Sequence, residues 1–371
     1  MRDFALEVYF SKWEFAARHH LTASDAQSLT LAELLGHASP ADRERFDNLH
    51  LGYTQTFGAA PLRAEIAGTY AALAPDQLLC FAGAEEGIYV AMRALLGPDD
   101  HAIVITPNYQ AAETIPLGLC AVSGVPLDEH DRWSLDIDRV KAAIRPNTRL
   151  ISINFPNNPT GAILARDRFD ALVALCRQHG LWLFSDEVYR LIERDPALRL
   201  PQVADVYERG ISLNVMSKSY GLPGLRIGWL ACQDRAFLSG CERYKHYLSI
   251  CNSAPSELLA EIALKARDVI LARNRGIVAA NVALLGPFFA QFPDLFDWRE
   301  PDGSCVAFLP YKGADGVEAF TTRLIEEAGV LLLPSSLYRS ELGPVPANHF
   351  RIGFGRSAVP EALAAFGDWL R

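Results

Sequence analysis

A lysine and an arginine lie eight residues apart in the middle of the chain, in a setting that suits covalent chemistry. Lys218 follows the apolar, strand-like run 211–216, and Arg226 closes a turn rich in glycine and proline. The pKa of a lysine amine falls readily when the amine is buried or lies near another cation, and such an amine can form a Schiff base with an aldehyde. An arginine beside it can grip a phosphate with two parallel N–H groups. The pair predicts a site for a phosphorylated aldehyde cofactor, pyridoxal 5'-phosphate.

A surface lysine and a loop arginine would be the ordinary interpretation of one such pair, but other apolar runs also end in residues that could do chemistry. Gly83, Ala84 and Glu85 follow the run 78–82 and begin a helical pattern, where free backbone N–H groups can bind an anion. Such turns are also common without a ligand. Asn158, in an N-P-T-G sequence, follows the run 150–155. Turn chemistry alone would explain that sequence as well.

Asp186 directly follows the run 181–185, where a buried carboxylate is costly unless it is paired. A protonated pyridine nitrogen would be a natural partner, whereas the cap of a following helix is the structural alternative. Asn158, Asp186 and Lys218 lie 28 and 32 residues apart, each just past a strand-like run. Because one strand–helix–strand step takes about 30 residues, the spacing allows the three groups to meet at one edge of a parallel sheet.

Three sequence blocks together resemble the fold-type I enzymes that use pyridoxal 5'-phosphate, the class I/II aminotransferases of the aspartate aminotransferase family. The blocks are N-P-T-G, D-E-V-Y and S-K-x5-G-x-R-x-G, in the order of that family. The resemblance implies that Lys218 carries the cofactor and that Asp186 pairs with its pyridine nitrogen. It also implies that Asn158 and Tyr189 hydrogen-bond its phenolic oxygen, and that Arg226 anchors its phosphate together with the amides of residues 83–85.

Further positions match the family outside these blocks. Tyr109 matches an aromatic residue that stacks on the cofactor ring, although a loop aromatic is the simpler alternative. Tyr53 resembles a tyrosine that reaches across a homodimer to the neighbouring phosphate. Arg351 resembles the arginine that clamps the substrate's α-carboxylate, with help from Asn158. The chain departs from the family at Val215, where a serine or threonine usually binds the phosphate. Ser217 or Ser219 could supply a hydroxyl instead, and Ser217 is the predicted replacement.

The resemblance implies transfer of an amino group from an L-amino acid to a 2-oxo acid, with Lys218 moving a proton between Cα and the cofactor. An alternative keeps the cofactor and changes the reaction. The N-terminal stretch is reminiscent of capreomycidine synthase-like members, which run elimination and cyclisation on arginine derivatives. Glu14, Ser24 or Asp25 could then contact a substrate side chain, but a helix cap explains Ser24 and Asp25 better.

The pattern of elements predicts an α/β protein of two domains. Apolar runs at 78–82, 102–106, 150–155, 181–185, 211–216 and 227–232 alternate with helical patterns, which is typical of a parallel sheet covered on both faces. The family adds a mostly parallel sheet of seven strands and a smaller α+β domain. We expect an N-terminal arm at 1–45, a large cofactor-binding domain at 46–252 and a small domain at 253–371 that begins with a long helix.

The composition bears on which molecules the protein binds and on the cellular compartment in which it works. The net charge is −9, and no basic run is long enough to predict binding to nucleic acid or to an anionic membrane. About 50 residues precede the family match and are not basic, which disfavours a DNA-binding regulator built on the same fold. Seven scattered cysteines without a C-x-x-C motif favour a reducing cytoplasm and no metal site. The N-terminus does not resemble a signal peptide, and no apolar run approaches the length of a membrane helix.

Overall fold

The structure is a computed structural model that describes residues 2–371. The strands within this range are β1 (His19–His20), β2 (Leu78–Phe81), β3 (His101–Thr106), β4 (Ala121–Pro126), β5 (Thr148–Asn154), β6 (Trp182–Asp186), β7 (Gly210–Val215), β8 (Gly228–Cys232), β9 (Val306–Pro310), β10 (Val330–Leu331), β11 (Leu333–Pro334) and β12 (His349–Gly353). The α-helices are α1 (Ala5–Trp13), α2 (Leu31–Leu35), α3 (Pro40–Asp47), α4 (Ala60–Ala67), α5 (Ala84–Leu95), α6 (Ala111–Leu117), α7 (Ile137–Ala143), α8 (Arg166–His179), α9 (Val203–Val206), α10 (Arg235–Lys245), α11 (Ala254–Lys265), α12 (Arg267–Phe289), α13 (Val317–Arg323) and α14 (Val359–Leu370).

A seven-stranded sheet in the order β2-β8-β7-β6-β5-β3-β4 forms the centre of the molecule. Its strands are parallel except β8, which runs antiparallel to both of its neighbours. Helices cover both faces, as the alternating side chains of β2 show. Leu79 and Phe81 pack with Ile88 of α5, whereas Leu78 and Cys80 pack with Leu62 of α4. The prediction of a mostly parallel, doubly covered sheet is confirmed.

A second sheet of three antiparallel strands, β11-β12-β9, lies in the C-terminal part of the chain. The N-terminal segment joins this part, because β1 pairs in parallel with β10. The helical pattern predicted after residue 253 is divided into α11 and α12, which meet at Ala266. The proposed domain boundaries at 45 and 252 stay a prediction.

Helix α12 is long and apolar enough, by length and composition alone, to cross a membrane. In the fold it carries buried polar residues that hydrogen-bond to other elements. Asn274 donates to the carbonyl of Ser219 at 2.9 Å, and Asn281 donates to the carbonyl of Phe354 at 2.9 Å. The helix therefore ties the turn after β7 to the chain that follows β12.

Candidate active site

The strand directions bring four of the predicted chemical segments to one edge of the central sheet. The last residue of β5, Asn154, pairs with Asp186, the last residue of β6. Because β8 runs the other way, its first residue, Gly228, pairs with Val215 at the end of β7 and with Phe81 at the end of β2. The turns after β2, β5, β6 and β7 and the turn before β8 consequently open on the same edge.

A cavity of about 430 Å³ lies at this edge. Most of the site residues predicted from the sequence line it: Ala84, Glu85, Tyr109, Asn158, Asp186, Tyr189, Ser217, Lys218 and Arg226. Gly83 lies behind the wall against Arg226, and Arg351 reaches the cavity through Asn158. Tyr53 does not line this cavity. It is 93% exposed and lies elsewhere on the surface of the same chain.

Lys218 extends into the cavity from the turn after β7. Its Nζ donates to Oγ of Ser24 at 2.8 Å and lies 5.8 Å from the centre of the Tyr189 ring. Burial lowers the pKa of this amine, and Arg351 lowers it further, while Asp25 and Asp186 act in the opposite direction. A lowered pKa increases the fraction of the neutral amine at any given pH, and the neutral amine is the form that attacks an aldehyde or accepts a proton.

Asp186 ends β6 beside Lys218. Its Oδ1 accepts the backbone N–H of Val188 at 3.2 Å, and a turn rather than a helix follows, so the interpretation of Asp186 as a helix cap is wrong. Burial raises the pKa of the carboxyl to about 6, against the opposing effects of the Val188 N–H and of Lys218. A cation placed against this carboxylate, such as a protonated pyridine nitrogen, would compensate for that burial.

Gly83 and Arg226 form one end of the cavity. Gly83 precedes α5 with φ 93° and ψ 173°, a conformation that is essentially restricted to glycine. A Cβ on this residue would collide with the Arg226 guanidinium, and a Cβ on Gly228 would lie 2.8 Å from the Gly83 carbonyl carbon. No side chain caps α5, so its first backbone N–H groups remain available to an anion. This close cradle with its cation fits a phosphate.

Arg351 of β12 lies at the other end of the site and is 0% exposed. Its Nη1 donates to Oδ1 of Asn158 at 3.0 Å, and its Nη2 donates to the carbonyl of Thr22 at 2.6 Å. Among the described residues, its Nε and the hydroxyl of Tyr189 have no hydrogen-bond partner. Both atoms could therefore hydrogen-bond to a polar ligand held in this part of the site. The residues present fit pyridoxal 5'-phosphate together with a carboxylate substrate.

Residues 34–365 match the model of the family described as aminotransferase class I and II.

The chain belongs to this family.

Two curated relatives and one solved structure extend the match over most of the chain. The chain is 31% identical to arginine–pyruvate transaminase AruH of Pseudomonas aeruginosa over 87% of its length and 83% of that protein. It is 28% identical to capreomycidine synthase of Streptomyces vinaceus, over 98% of this chain and 93% of that one. A crystal structure of a PLP-dependent aminotransferase from Streptococcus suis superposes with a TM-score of 0.93 at 30% identity, covering 100% of this chain and 98% of that chain. The protein is thus a fold-type I aminotransferase whose cofactor is pyridoxal 5'-phosphate, as predicted.

Tyr109, Val215 and Ser217 take places on the cavity wall of this aminotransferase. The Tyr109 ring lies 5.1 Å from the ring of Phe4, at an angle of 52°. Burial raises the pKa of its phenol, and Glu85 and Glu7 raise it further. Val215 and Ser217 are both buried, on either side of Met216. The apolar departure at Val215 therefore does face the site, and Ser217 stands close enough to it to share the same wall.

The N-terminal segment enters the active site of the aminotransferase more deeply than the sequence indicated. Thr22, Ala23, Ser24 and Asp25 all line the cavity. The interpretation of Ser24 and Asp25 as helix caps is wrong, because the next helix begins at Leu31 and is capped by the side chain of Thr30. Ser24 binds Lys218 instead, and Asp25 accepts two hydrogen bonds from Arg356 at 3.1 and 3.0 Å. Only the three-dimensional fold brings these residues to Lys218.

Helix α1 and Glu14, its C-terminal cap, supply a second part of the wall, of which the sequence had indicated Glu14 alone. Glu7, Phe10 and Glu14 line the cavity. They are separated by three and four residues, the spacing that puts side chains on one face of a helix. That spacing was the available signal, but short amphipathic helices are common and nothing in the sequence tied this one to Lys218.

Proposed function

We propose that Lys218 both carries the cofactor and moves the α-proton of the substrate in this aminotransferase. The observation that supports this most strongly is the position of its amine, whose pKa is lowered by burial, in a cavity shared with Asp186, Arg226 and Asn158. Replacing Lys218 by alanine is expected to abolish amino transfer. A Lys218→Ala variant that still transfers amino groups at the wild-type rate would contradict the assignment.

Pyridoxal 5'-phosphate, when bound, supplies an electron-withdrawing ring that stabilises the negative charge left at Cα when its proton departs. Asp186 would hold the ring nitrogen in its cationic form by ion pairing. Asn158 and the unpaired hydroxyl of Tyr189 would orient the ring through its phenolic oxygen, with Tyr109 against its face. Arg226, Ser217 and the N–H groups of Gly83, Ala84 and Glu85 would hold the phosphate.

Arg351 is assigned to the substrate. Its guanidinium would bind the α-carboxylate through the N–H that has no protein partner, and Asn158 would complete that contact. The carboxylate would then fix the amino acid with its Cα–H directed at the amine of Lys218. In the first half of the reaction Lys218 takes this proton, and in the second half it returns a proton to the 2-oxo acid that accepts the amino group.

We further propose that the preferred donor is an L-amino acid with a cationic side chain. Glu7, Glu14 and Glu85 line the cavity, and none of them is assigned to the cofactor or the α-carboxylate through its side chain. Asp25, by contrast, is neutralised by Arg356. The similarity to an arginine–pyruvate transaminase supports the same class of donor, with pyruvate as the first acceptor to assay.

The charge state of Glu85 fits this proposal. Burial, together with repulsion from Glu7, raises the pKa of its carboxyl to about 7. A guanidinium or ammonium group beside this carboxylate would lower that pKa and favour the ionised form of Glu85. We expect binding of a cationic donor to strengthen as the pH rises towards and past 7.

The double variant Glu7→Gln/Glu14→Gln tests the donor class. L-Arginine and its neutral near-isostere L-citrulline are compared as donors, and kcat/KM for arginine should fall by about ten-fold while that for citrulline changes little, since one to two exposed ion pairs are removed. The double variant Glu44→Gln/Glu326→Gln, which changes two exposed carboxylates outside the cavity lining, serves as the control of equal charge. An equal fall with both donors would refute the acidic subsite.

Elimination with cyclisation is a second candidate, which the similarity to capreomycidine synthase over 98% of this chain favours. The two reactions differ in their need for an acceptor. An arginine derivative with a leaving group on Cβ is incubated with the enzyme in the absence of any 2-oxo acid. Release of that group with many turnovers would support the lyase reaction, whereas an absolute need for the oxo acid supports transamination.

A homodimer with shared active sites is proposed from the exposed apolar surface beside Tyr53. Tyr53 and Tyr247 are 93% and 92% exposed. Leu51 and Tyr53 line one depression with Ser249 and Cys251, next in sequence to the exposed Leu248 and Ile250. Tyr53 would reach the phosphate of the neighbouring subunit. A stable, active monomer in size-exclusion chromatography would contradict this, and Tyr53→Phe should weaken cofactor binding without dissociating the dimer.

A cytoplasmic location is also proposed. All seven cysteines are free in the structure, which suits a reducing compartment. Cell fractionation with a specific antibody would test the proposal, and recovery of the protein in a membrane or secreted fraction would contradict it.

A further inference from the structure

The segment from residue 22 to residue 27, which we call the strap, contacts the amine of Lys218 directly. Among residues 2–371, the hydrogen-bond partner of Lys218 Nζ is Oγ of Ser24, at 2.8 Å. The strap also binds the main chain of Lys218, because the N–H of Ala26 donates to the Lys218 carbonyl at 3.1 Å. The side chain and the backbone of Lys218 are thus both fixed by residues that lie almost 200 positions earlier in the sequence.

Several independent contacts hold the strap in place. Leu21, which directly precedes the strap, and Gln27, its last residue, bond to β12 and the chain after it. Gly353 N–H donates to the carbonyl of Leu21 at 2.7 Å, and Gln27 N–H donates to the carbonyl of Gly355 at 2.8 Å. A Cβ on Gly353 or Gly355 would collide with the strap carbonyls of Ala23 and Asp25. Glycine is therefore required for this close approach.

The charged ends of two arginines complete the anchoring. Arg351 donates to the carbonyl of Thr22 at 2.6 Å, and Arg356 forms its bidentate pair with Asp25. Ser24 lies between these two anchored residues, so its backbone is held beside Lys218.

We propose that Ser24 is a positioning residue that orients the free amine of Lys218 for proton transfer at Cα. A neutral amine has two N–H groups and one lone pair. When Ser24 accepts a hydrogen bond from one of these N–H groups, rotation of the amine is restricted. In the proposed arrangement the lone pair then points at the α-proton. The Cα–H bond then breaks, a third N–H bond forms on Lys218, and the electron pair stays with the substrate and its attached cofactor.

Ser24 also favours the product of that step. The ammonium form of Lys218 makes a charge-assisted bond to the hydroxyl, which is stronger than the bond from the neutral amine. Loss of this acceptor should slow removal of the α-proton by about ten-fold or more. It should also lower the pH at which Lys218 loses its own proton, by roughly one pH unit. The first effect rests on the proposed role of Lys218 as the base, and the second does not.

Two measurements on Ser24→Ala test the proposal. In the cofactor-free protein, Lys218 is labelled with acetic anhydride across a range of pH, and its labelled peptide is quantified by mass spectrometry. In the cofactor-loaded enzyme, the half-reaction with L-arginine is compared with that of the Cα-deuterated amino acid. Ser24→Thr retains the hydroxyl, and Ser28→Ala removes an exposed hydroxyl just beyond the strap.

In Ser24→Ala we expect Lys218 to be acetylated at lower pH than in the wild type, and the deuterium isotope effect on the half-reaction to be larger. Both quantities should be close to the wild-type values in Ser24→Thr and unchanged in Ser28→Ala. A labelling profile in Ser24→Ala equal to that of the wild type would overturn the contact itself, whatever the role of Lys218. A shifted profile with an unchanged isotope effect would overturn the positioning role. Failure of Lys218→Ala to abolish amino transfer would count against the base assignment separately.

Discussion

A methyl group added at Gly83 should lower both the stability of the fold and the affinity for the cofactor, and the two effects can be measured separately. In Gly83→Ala the new Cβ would lie 3.0 Å from Cζ of Arg226 and still closer to one of its guanidinium nitrogens. The residue would also have to hold φ 93° and ψ 173°, where side chains other than hydrogen are strongly disfavoured. Either the turn before α5 or the arginine has to move.

The two effects have different sizes and different readouts. Strain in the turn is present with or without cofactor, and it should lower the free energy of unfolding by about 1–3 kcal/mol. Displacement of Arg226 removes a charge-assisted contact worth about 1.5–3 kcal/mol from the phosphate alone. That loss corresponds to a dissociation constant for the cofactor about ten-fold to a hundred-fold higher.

Denaturant unfolding of the cofactor-free chain measures the first effect, and titration of that chain with pyridoxal 5'-phosphate measures the second. Gly224→Ala is a matched control, because the same change in the turn beside Arg226 meets no atom within 4 Å. Cofactor affinity in Gly83→Ala equal to that in Gly224→Ala would refute the phosphate cradle.

Three further substitutions test other parts of the site. The pKa of the Asp186 carboxyl is raised by burial from 3.8 to about 6, so in the cofactor-free protein its ionisation costs stability as the pH rises between these values. Asp186→Asn should remove that loss, leaving the variant more stable than the wild type by roughly 3 kcal/mol at pH 7 and equal to it at pH 3 in denaturant unfolding. Arg351→Lys should lower kcat/KM for amino acids about ten-fold to a hundred-fold, mainly through KM in steady-state assays, because lysine lacks the planar fork that binds a carboxylate. Val215→Thr should tighten cofactor binding up to about ten-fold in the same titration by restoring a phosphate hydroxyl, and unchanged affinity would show that this position does not face the phosphate.

The residues at the edge of the central sheet could be predicted from the sequence because they lie close to the ends of strands. Asn158, Asp186 and Lys218 each lie within three residues of the end of an apolar run, and the ends of neighbouring parallel strands meet at one edge of the sheet. The strand β4 was missed because it lies at the edge of the sheet, where Ala121 is exposed and only Val125 is buried, so its hydrophobic pattern is weak. The break between α11 and α12 at Ala266 was not predicted because no proline or glycine marks it in the sequence.

The N-terminal wall of the site could not be predicted in the same way. Ser24 and Asp25 lie in a loop whose residue types suit a helix cap equally well, and their partners, Lys218 and Arg356, are distant in the sequence. Long-range contacts of this kind depend on the packing of β1 against β10 and of the strap against β12. A two-residue strand such as β1 carries almost no sequence signal of its own.

Trapping the cofactor on the protein tests the central claim most directly. The purified enzyme, loaded with pyridoxal 5'-phosphate, is reduced with borohydride before and after addition of L-arginine, then digested and mapped by mass spectrometry. The cofactor should be found on the peptide that contains Lys218, and the amount attached there should fall sharply once the amino acid is present. Attachment to another lysine, or attachment at Lys218 that no amino acid displaces, would contradict the account.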